Sequence, residues 1–329
     1  MSIKPVSKIV GTGVGIPKKV LTNFDLEKMV DTSDEWIRTR TGIETRYIVD
    51  DDQTTSDLGT EAALNALKDA NLSPKDVDVI MFATITADVG FPSAAVFVQR
   101  NIDAVNAAAF DIQAACTGFI YGLELADSLI CTGRAKTVLL IGGESLSRIT
   151  DFSDRNTCVL FGDSAGAVVL QPSDDERGIL STFIKSDGRL YDLLKMDGMG
   201  TKNPPTSDRY NEKMQYIQMA GRDVFKHAVT CMGDAAEHIL EKANLTYDDV
   251  DLLITHQANI RIIEATAKRI KIPSEKVYIN VNKYGNTSAA SIPIAIDEAR
   301  KIGRLQPNNV AIFVAFGGGF TWGSAAVRF

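Results

Sequence analysis

Two stretches of the chain repeat one pattern. In LGTEAALNALKDA the apolar residues Leu58, Ala62, Leu64, Leu67 and Ala70 recur near every third or fourth position, the spacing of a helix with one buried face. CMGDAAEHILEKA repeats it with Met232, Ala236, Ile239 and Leu240. Each helix runs into an acidic turn, ANLSPKDVDVI or ANLTYDDVDLL, identical at six of eleven positions and 173 residues apart. A short apolar strand follows in both places, within VIMFATI and LLITH. Later in each half comes a second apolar run too short for a helix, KTVLLIGGES and NVAIFVAFGGG, which passes through glycines into a further strand, FGDSAGAVVL and FTWGSAAVRF.

Strands alternating with helices predict an α/β fold with parallel or mixed sheets covered on both faces, and the duplication predicts two pseudo-twofold halves meeting at one interface. The polar, turn-forming QPSDDERG sets the boundary, giving halves 1–174 and 175–329. Residues 185–214 have weak periodicity and many turn residues; they read equally as a loop lining a pocket and as a solvated insertion.

Composition narrows the classes. The chain has 329 residues, 45% of them apolar, and 42 acidic against 35 basic residues give a net charge of -7. No basic stripe is present, which argues against a nucleic-acid partner. The start, MSIKPVSKIVGTGVGIP, has only short apolar runs and predicts neither a signal peptide nor a membrane span, so the cytoplasm is the expected location. Its GTGVGIP lacks the spacing of a dinucleotide loop, and Pro17 interrupts the helix such a loop requires. Four widely spaced cysteines without a CxxC pair, and three histidines, predict neither a disulfide scaffold nor a metal site.

Chemistry concentrates at Cys116. AAFDIQA reads as a strand, and Ile120, Leu123, Ala126 and Ile130 follow helical spacing, so the cysteine falls at a strand-to-helix turn built from small residues. A helix amino terminus offers free N–H groups and a positive dipole end, which favour thiolate and can hold an oxyanion. A small buried hydrophobe is an equal reading of the same residue, and the preferred one for Cys131, Cys158 and Cys231. His227 and His238 fall on helix surfaces, whereas His256 follows a buried strand at a sheet end where α/β proteins place ligands. Asn286, after a glycine and before TSAAS, can turn its amide into a cavity or simply form a turn.

With AACTGF, THQAN, YGNTSAAS and GGGFTWGSA in this order, the chain resembles the β-ketoacyl-acyl-carrier-protein synthase III family of thiolase-fold condensing enzymes. The likeness extends from DEWIRTRTGIETR through FPSAA and FGDSAGA to the terminal WGSAAVRF. It implies that Cys116 is acylated by a short acyl-CoA, that His256 and Asn286 are its partners, and that Gly318 adds a backbone donor beside the N–H of Cys116. Malonyl-acyl-carrier protein then loses carbon dioxide and attacks the thioester. Asn and neutral His can donate to a thioester oxygen, and decarboxylation generates the carbanion without a base.

The resemblance further implies CoA contacts at Trp36, Arg40 and Arg155, support of the site by Asn259, and a homodimer in which Phe91 reaches across to line the acyl pocket. Arg261, Lys268 and Arg269, with Lys226, match a docking face for the acidic carrier protein; solubility and compensation of the helix dipole are equal readings of these four. No cofactor, metal or membrane is implied. The alternatives are a related enzyme of polyketide or specialised lipid synthesis, a papain-like Cys-His-Asn hydrolase, and a catalytically silent binding protein.

Overall fold

A computed structural model describes residues 6–173 and 175–329. The first five residues, part of the amino-terminal stretch read above, and Asp174, at the expected boundary, lie outside the described residues. Two sheets form the framework. The first contains β1 (Val6–Gly15), β2 (Val79–Ala83), β3 (Ala108–Ile112), β4 (Val138–Glu144) and β5 (Ser164–Ser173), in the order β1-β5-β4-β2-β3. The second contains β6 (Gly178–Ser186), β7 (Leu252–Thr255), β8 (Val310–Gly317) and β9 (Thr321–Arg328), in the order β6-β9-β8-β7.

The sheets have the same plan. Within each, the first two neighbouring pairs are antiparallel and the next pair is parallel. Where β3 extends the first sheet, a parallel bridge from Leu253 to Val277 marks the same place in the second. Central strands are buried on both faces, which is why β4 and β8 read as unbroken runs of apolar and small residues.

Six helices matter for the site: α1 (Asp34–Thr41), α2 (Thr55–Asp69), α3 (Gly118–Cys131), α4 (Gly221–Ala243), α5 (Ile260–Arg269) and α6 (Ser291–Lys301). Thr54 starts α2 with a capping box, its hydroxyl taking the Asp57 N–H while the Asp57 carboxylate takes its own. That helix lies directly on β1. A Cβ at Gly11, Gly13 or Gly15 would run into the backbone of Ala66, Ala62 or Leu58, so the glycines of GTGVG seat a helix.

One feature departs from a clean division in sequence. Leu21, Leu26, Ile37 and Ile43 pack with Met232, Ala236, Ile263 and Phe316, in the core beneath the second sheet. The stretch carrying α1 is therefore an excursion from the first half that completes the second.

The two sheets meet through a pair of equivalent turns. Ala115–Thr117 enters α3 and Ser288–Ala290 enters α6, and the 173-residue offset of the repeat superposes Cys116 on Ala289. Ala115 and Ser288, first in each turn, both adopt a left-handed backbone, with φ of 46° and 49°. Gly142 of β4 lies against Ala289 so closely that a Cβ there would overlap the Ala289 carbonyl. Gly142→Ala is expected to lower unfolding stability by about 1–3 kcal/mol in a denaturant titration. Gly188→Ala, where a Cβ meets nothing within 4 Å, should shift it by less than about 0.5 kcal/mol.

Candidate active site

Between the halves lies a cavity of about 540 Å³. Cys116, His256, Asn286 and Gly318 all line it, brought together from four separate strand ends and turns. Its walls are largely apolar: Leu146, Phe161 and Ile217 form a small cluster with Ile85, Ile149 and Leu194. Residues 185–214 contribute Leu194, Lys195 and Met196 to the wall, so part of that excursion lines the cavity.

Cys116 sits in the turn between β3 and α3. The N–H of Thr117 bonds to Ala114 O and that of Gly118 to Ala115 O, which leaves the Cys116 N–H outside the turn's own hydrogen bonds. The glycine run abuts it: a Cβ at Gly317 would fall 2.8 Å from Cys116 N. Gly318 turns its carbonyl to the Thr321 hydroxyl at 3.2 Å.

Burial works against the thiolate that the helix terminus was expected to favour. Burial pushes the Cys116 thiol up to about 12, the charge of Glu144 adds to this, and the Ser288 hydroxyl opposes it. Cys116 is half-buried and its exposure is to the cavity, but protein encloses it on the other sides.

His256 follows β7, with its backbone N–H on Val314 O at 2.7 Å. Its Nδ1 lies 2.8 Å from Ser291 Oγ at the start of α6. Burial alone depresses its pKa to about 3, so the ring is a neutral imidazole. Asn286 is held by its backbone, N–H to Leu160 O at 2.8 Å and carbonyl from Gly162 N–H at 3.0 Å. Its Oδ1 accepts the Ser288 N–H at 2.9 Å, which turns the amide NH2 group toward the cavity.

Several polar residues that sequence reasoning passed over hold these groups. Gln257 spends its whole amide on the backbone: Nε2 donates to Thr255 O and Tyr278 O, and Oε1 accepts from Asn280 and Val281 N–H. It thereby ties the His256 strand end to the segment leading to Asn286. Ser291 fixes the imidazole, and Glu144, fully buried at the end of β4, receives the Ser288 hydroxyl at 3.2 Å. A charged residue closing an otherwise apolar strand was the available signal for Glu144.

The other expected site residues spread outward from the mouth. Asn259 lines the cavity and caps α5, accepting the Arg261 N–H at 2.9 Å while donating to Arg40 O at 3.2 Å. Trp36 is half-buried, with the guanidinium of Arg155 5.2 Å and that of Arg40 5.8 Å from its ring centre. Arg261 lies over the Phe225 ring at 5.5 Å, and Lys226 and Lys268 are exposed. Arg269 is not a free surface cation: it pairs with Asp234 and Glu237 and donates to Thr230 O on α4. Phe91 is 89% exposed and stands outside the cavity lining. His238 is exposed, whereas His227 is half-buried against Phe320, with ring centres 5.7 Å apart, and is not a surface residue as expected.

Family models described as 3-oxoacyl-[acyl-carrier-protein] synthase III and its C-terminal part match residues 110–188 and 240–329. A β-ketoacyl-[acyl-carrier-protein] synthase III of Caldanaerobacter subterraneus subsp. tengcongensis is 52% identical over 100% of this chain and 99% of its own. The chain belongs to the β-ketoacyl-[acyl-carrier-protein] synthase III family. It is a condensing enzyme of the acyltransferase type with a thiolase-like fold.

Among synthase III structures, that from Aquifex aeolicus is 50% identical with a TM-score of 0.91, covering 98% of this chain and 100% of its own. The priming β-ketosynthase of the R1128 polyketide pathway is 32% identical with a TM-score of 0.92, covering 100% of this chain and 98% of its own. Among the described residues no helix is long and apolar enough to cross a membrane.

The buried imidazole makes a testable contribution to stability. Its pKa near 3 lies below the ordinary 6.5, so as pH falls from 6.5 toward 3 the unfolded chain binds a proton that the folded chain refuses. His256→Gln should therefore lose stability less steeply over that range, by about 1.4 kcal/mol per pH unit in denaturant titrations.

Proposed function

We propose that the enzyme starts fatty-acid synthesis by passing a short acyl group, acetyl in the simplest case, from CoA to Cys116 and condensing it with malonyl-[acyl-carrier protein]. The observation that carries this reading is the convergence of Cys116, His256 and Asn286 on one cavity, with the Asn286 amide held NH2-first by Ser288. In the acylation step the sulfur attacks the CoA thioester carbonyl, and its oxygen settles between the N–H groups of Cys116 and Gly318. CoA leaves as the thiol.

In the second step the malonyl thioester oxygen takes hydrogen bonds from Asn286 Nδ2 and from His256 Nε2, which carries the hydrogen when the Ser291 hydroxyl donates to Nδ1. A neutral imidazole suits this role, because decarboxylation needs a donor for the forming enolate and no proton acceptor. The enolate carbon then attacks the acyl-Cys116 carbonyl and expels the Cys116 thiolate, which takes up one proton from water to restore the thiol. Both substrates are consumed, and no cofactor enters the scheme. The 50–52% identity to proteins named β-ketoacyl- or 3-oxoacyl-[acyl-carrier-protein] synthase III, against 32% for the polyketide priming enzyme, favours the fatty-acid reading. Membership of this family removes the papain-like alternative.

Around this centre we assign Trp36 and Arg155 to the CoA adenine, Arg40 to its phosphate, and Arg261, Lys226 and Lys268 to the carrier protein, with Arg269 braced against α4 behind them. A second copy of the chain is proposed to cover β3, an edge strand that carries exposed Phe110, together with the exposed Phe91 and Val105, so that Phe91 enters the partner's cavity. Residues 1–174 and 175–329 are taken as the duplicated units. The reading puts the enzyme in the cytoplasm with its substrates.

Cys116→Ala is expected to abolish labelling by acyl-CoA in intact-mass measurements, whereas His256→Ala and Asn286→Ala should still load. Each of those two should slow release of carbon dioxide from malonyl-carrier protein by about 10²–10³-fold; normal condensation by either would refute its role. Reversing both Arg261 and Lys268 to Glu should raise KM for the carrier substrate about tenfold while leaving acyl-CoA loading within about twofold.

A further inference from the structure

The oxyanion donors assigned above, the N–H groups of Cys116 and Gly318, stand on two different turns. Gly317 approaches Cys116 so closely that a Cβ would fall 2.8 Å from its N, and Gly319 has a φ of 135°, a backbone that favours glycine. Close approach and backbone geometry thus strip the turn after β8 of side chains, and a run of three glycines has no anchors of its own. Phe320, next in the chain, is buried and apolar. Thr321 is the first residue beyond the run that can hydrogen-bond through its side chain.

Its hydroxyl reaches both turns. Thr321 Oγ1 lies 3.2 Å from Gly318 O, 3.1 Å from Ala114 O and 3.1 Å from Thr117 Oγ1. Ala114 O already closes the Cys116 turn by accepting the Thr117 N–H at 3.1 Å. Thr117, fully buried, returns the contact: its hydroxyl donates to Thr321 O at 3.1 Å, which leaves its oxygen free to accept. On the glycine side Thr321 also faces Gly317 in the β8–β9 register, so Gly318 sits between two points held by one residue. Thr321 borders the cavity together with Cys116 and Gly318.

We propose that Thr321 is the positioning residue of the oxyanion hole, its hydroxyl clasping the glycine turn to the Cys116 turn and so fixing the separation of the two N–H groups. The inference rests on the acyl-transfer reading above. Those two donors serve two steps. They hold the oxyanion when the Cys116 sulfur adds to the acyl-CoA carbonyl, and again when the enolate carbon adds to the acyl-Cys116 carbonyl. Decarboxylation does not use them, because Asn286 and His256 hold the enolate oxygen. A loosened hole therefore has its own chemical outcome. Carbon dioxide still leaves malonyl-carrier protein, but the enolate meets a poorly activated carbonyl and takes one proton from water instead, leaving hydroxide and acetyl-carrier protein.

The test uses the full-length enzyme and two measurements. One is rapid-quench acylation by radiolabelled acetyl-CoA; the other, on enzyme already acetylated, is carbon dioxide release from malonyl-carrier protein counted against β-ketoacyl product. Thr321→Val keeps the shape and β-branching and removes the hydroxyl. It should slow acylation about 10–100-fold while the half-saturating acetyl-CoA concentration stays within about twofold. Its carbon dioxide release should remain within about threefold of wild type, with more than about half of it unmatched by condensation product. Thr321→Ser restores the hydroxyl and should recover both measurements to within about threefold. Thr117→Val opens the clasp from the other turn with the same expected pattern, and decides the matter should Thr321→Val fail to fold.

Acylation within about threefold of wild type in folded Thr321→Val would overturn the proposal. So would failure of Thr321→Ser to recover the rate, or carbon dioxide release that falls in step with condensation. A wild-type enzyme that takes no label from any acyl-CoA refutes the acyl-transfer reading itself, whereas normal wild-type labelling with an unaffected Thr321→Val refutes only the clasp.

Discussion

The contact between the turn that carries Cys116 and the turn that follows Asn286 sets everything else at the centre of the molecule. Gly142 of the first half lies so close to Ala289 of the second that no side chain fits between them, Gly118 lies within van der Waals distance of the same alanine, and each turn begins with a left-handed residue, Ala115 or Ser288. Duplication supplies the two surfaces, and divergence at a few positions makes them chemically unlike. Where one copy of the turn has Cys116, the other has Ala289, small enough to let the first approach. Ser288, in the place of Ala115, brings the hydroxyl that connects to Glu144.

Burial governs the electrostatics of this centre more than charge pairing does. Cys116, His256 and Glu144 all have pKa values moved toward their neutral forms, by loss of solvent before any neighbouring charge. A site of neutral thiol, neutral imidazole and oriented carboxamide stabilises charge only as it develops, through donors already in position. The supporting hydrogen bonds of Gln257, Ser291 and Ser288 keep those donors from turning inward, so the cavity lining stays polar at a few points and apolar elsewhere.

The architecture was legible because its signals are periodic and duplicated. Helix spacing at Leu58–Leu67, the twin acidic turns and the two glycine-ended strands need no tertiary information, and they foretold paired sheets. Cys116, His256 and Asn286 stood out because each interrupts a run of small or apolar residues at an element's end. The ionisation state of Cys116 was not legible: it depends on enclosure by Ser288 and Glu144, one of them 172 positions away. Nor could the ion pairs of Arg269 with Asp234 and Glu237 be read, since two helices must first pack together. The excursion holding Leu21 and Ile37 shows the same limit, its apolar face being obvious and its destination in the second core being a matter of topology.

The guanidinium of Arg155 already lies against the indole of Trp36, tethered through the carbonyl of Asp31 at 2.9 Å. A planar base arriving on that face exchanges a cation–π contact for a stack, and the displaced guanidinium can close over its other side. Little bare aromatic area is desolvated in the exchange. The heat-capacity change on binding there should fall short of what the covered area alone would give, so calorimetry would see a partner swap more than a hydrophobic burial.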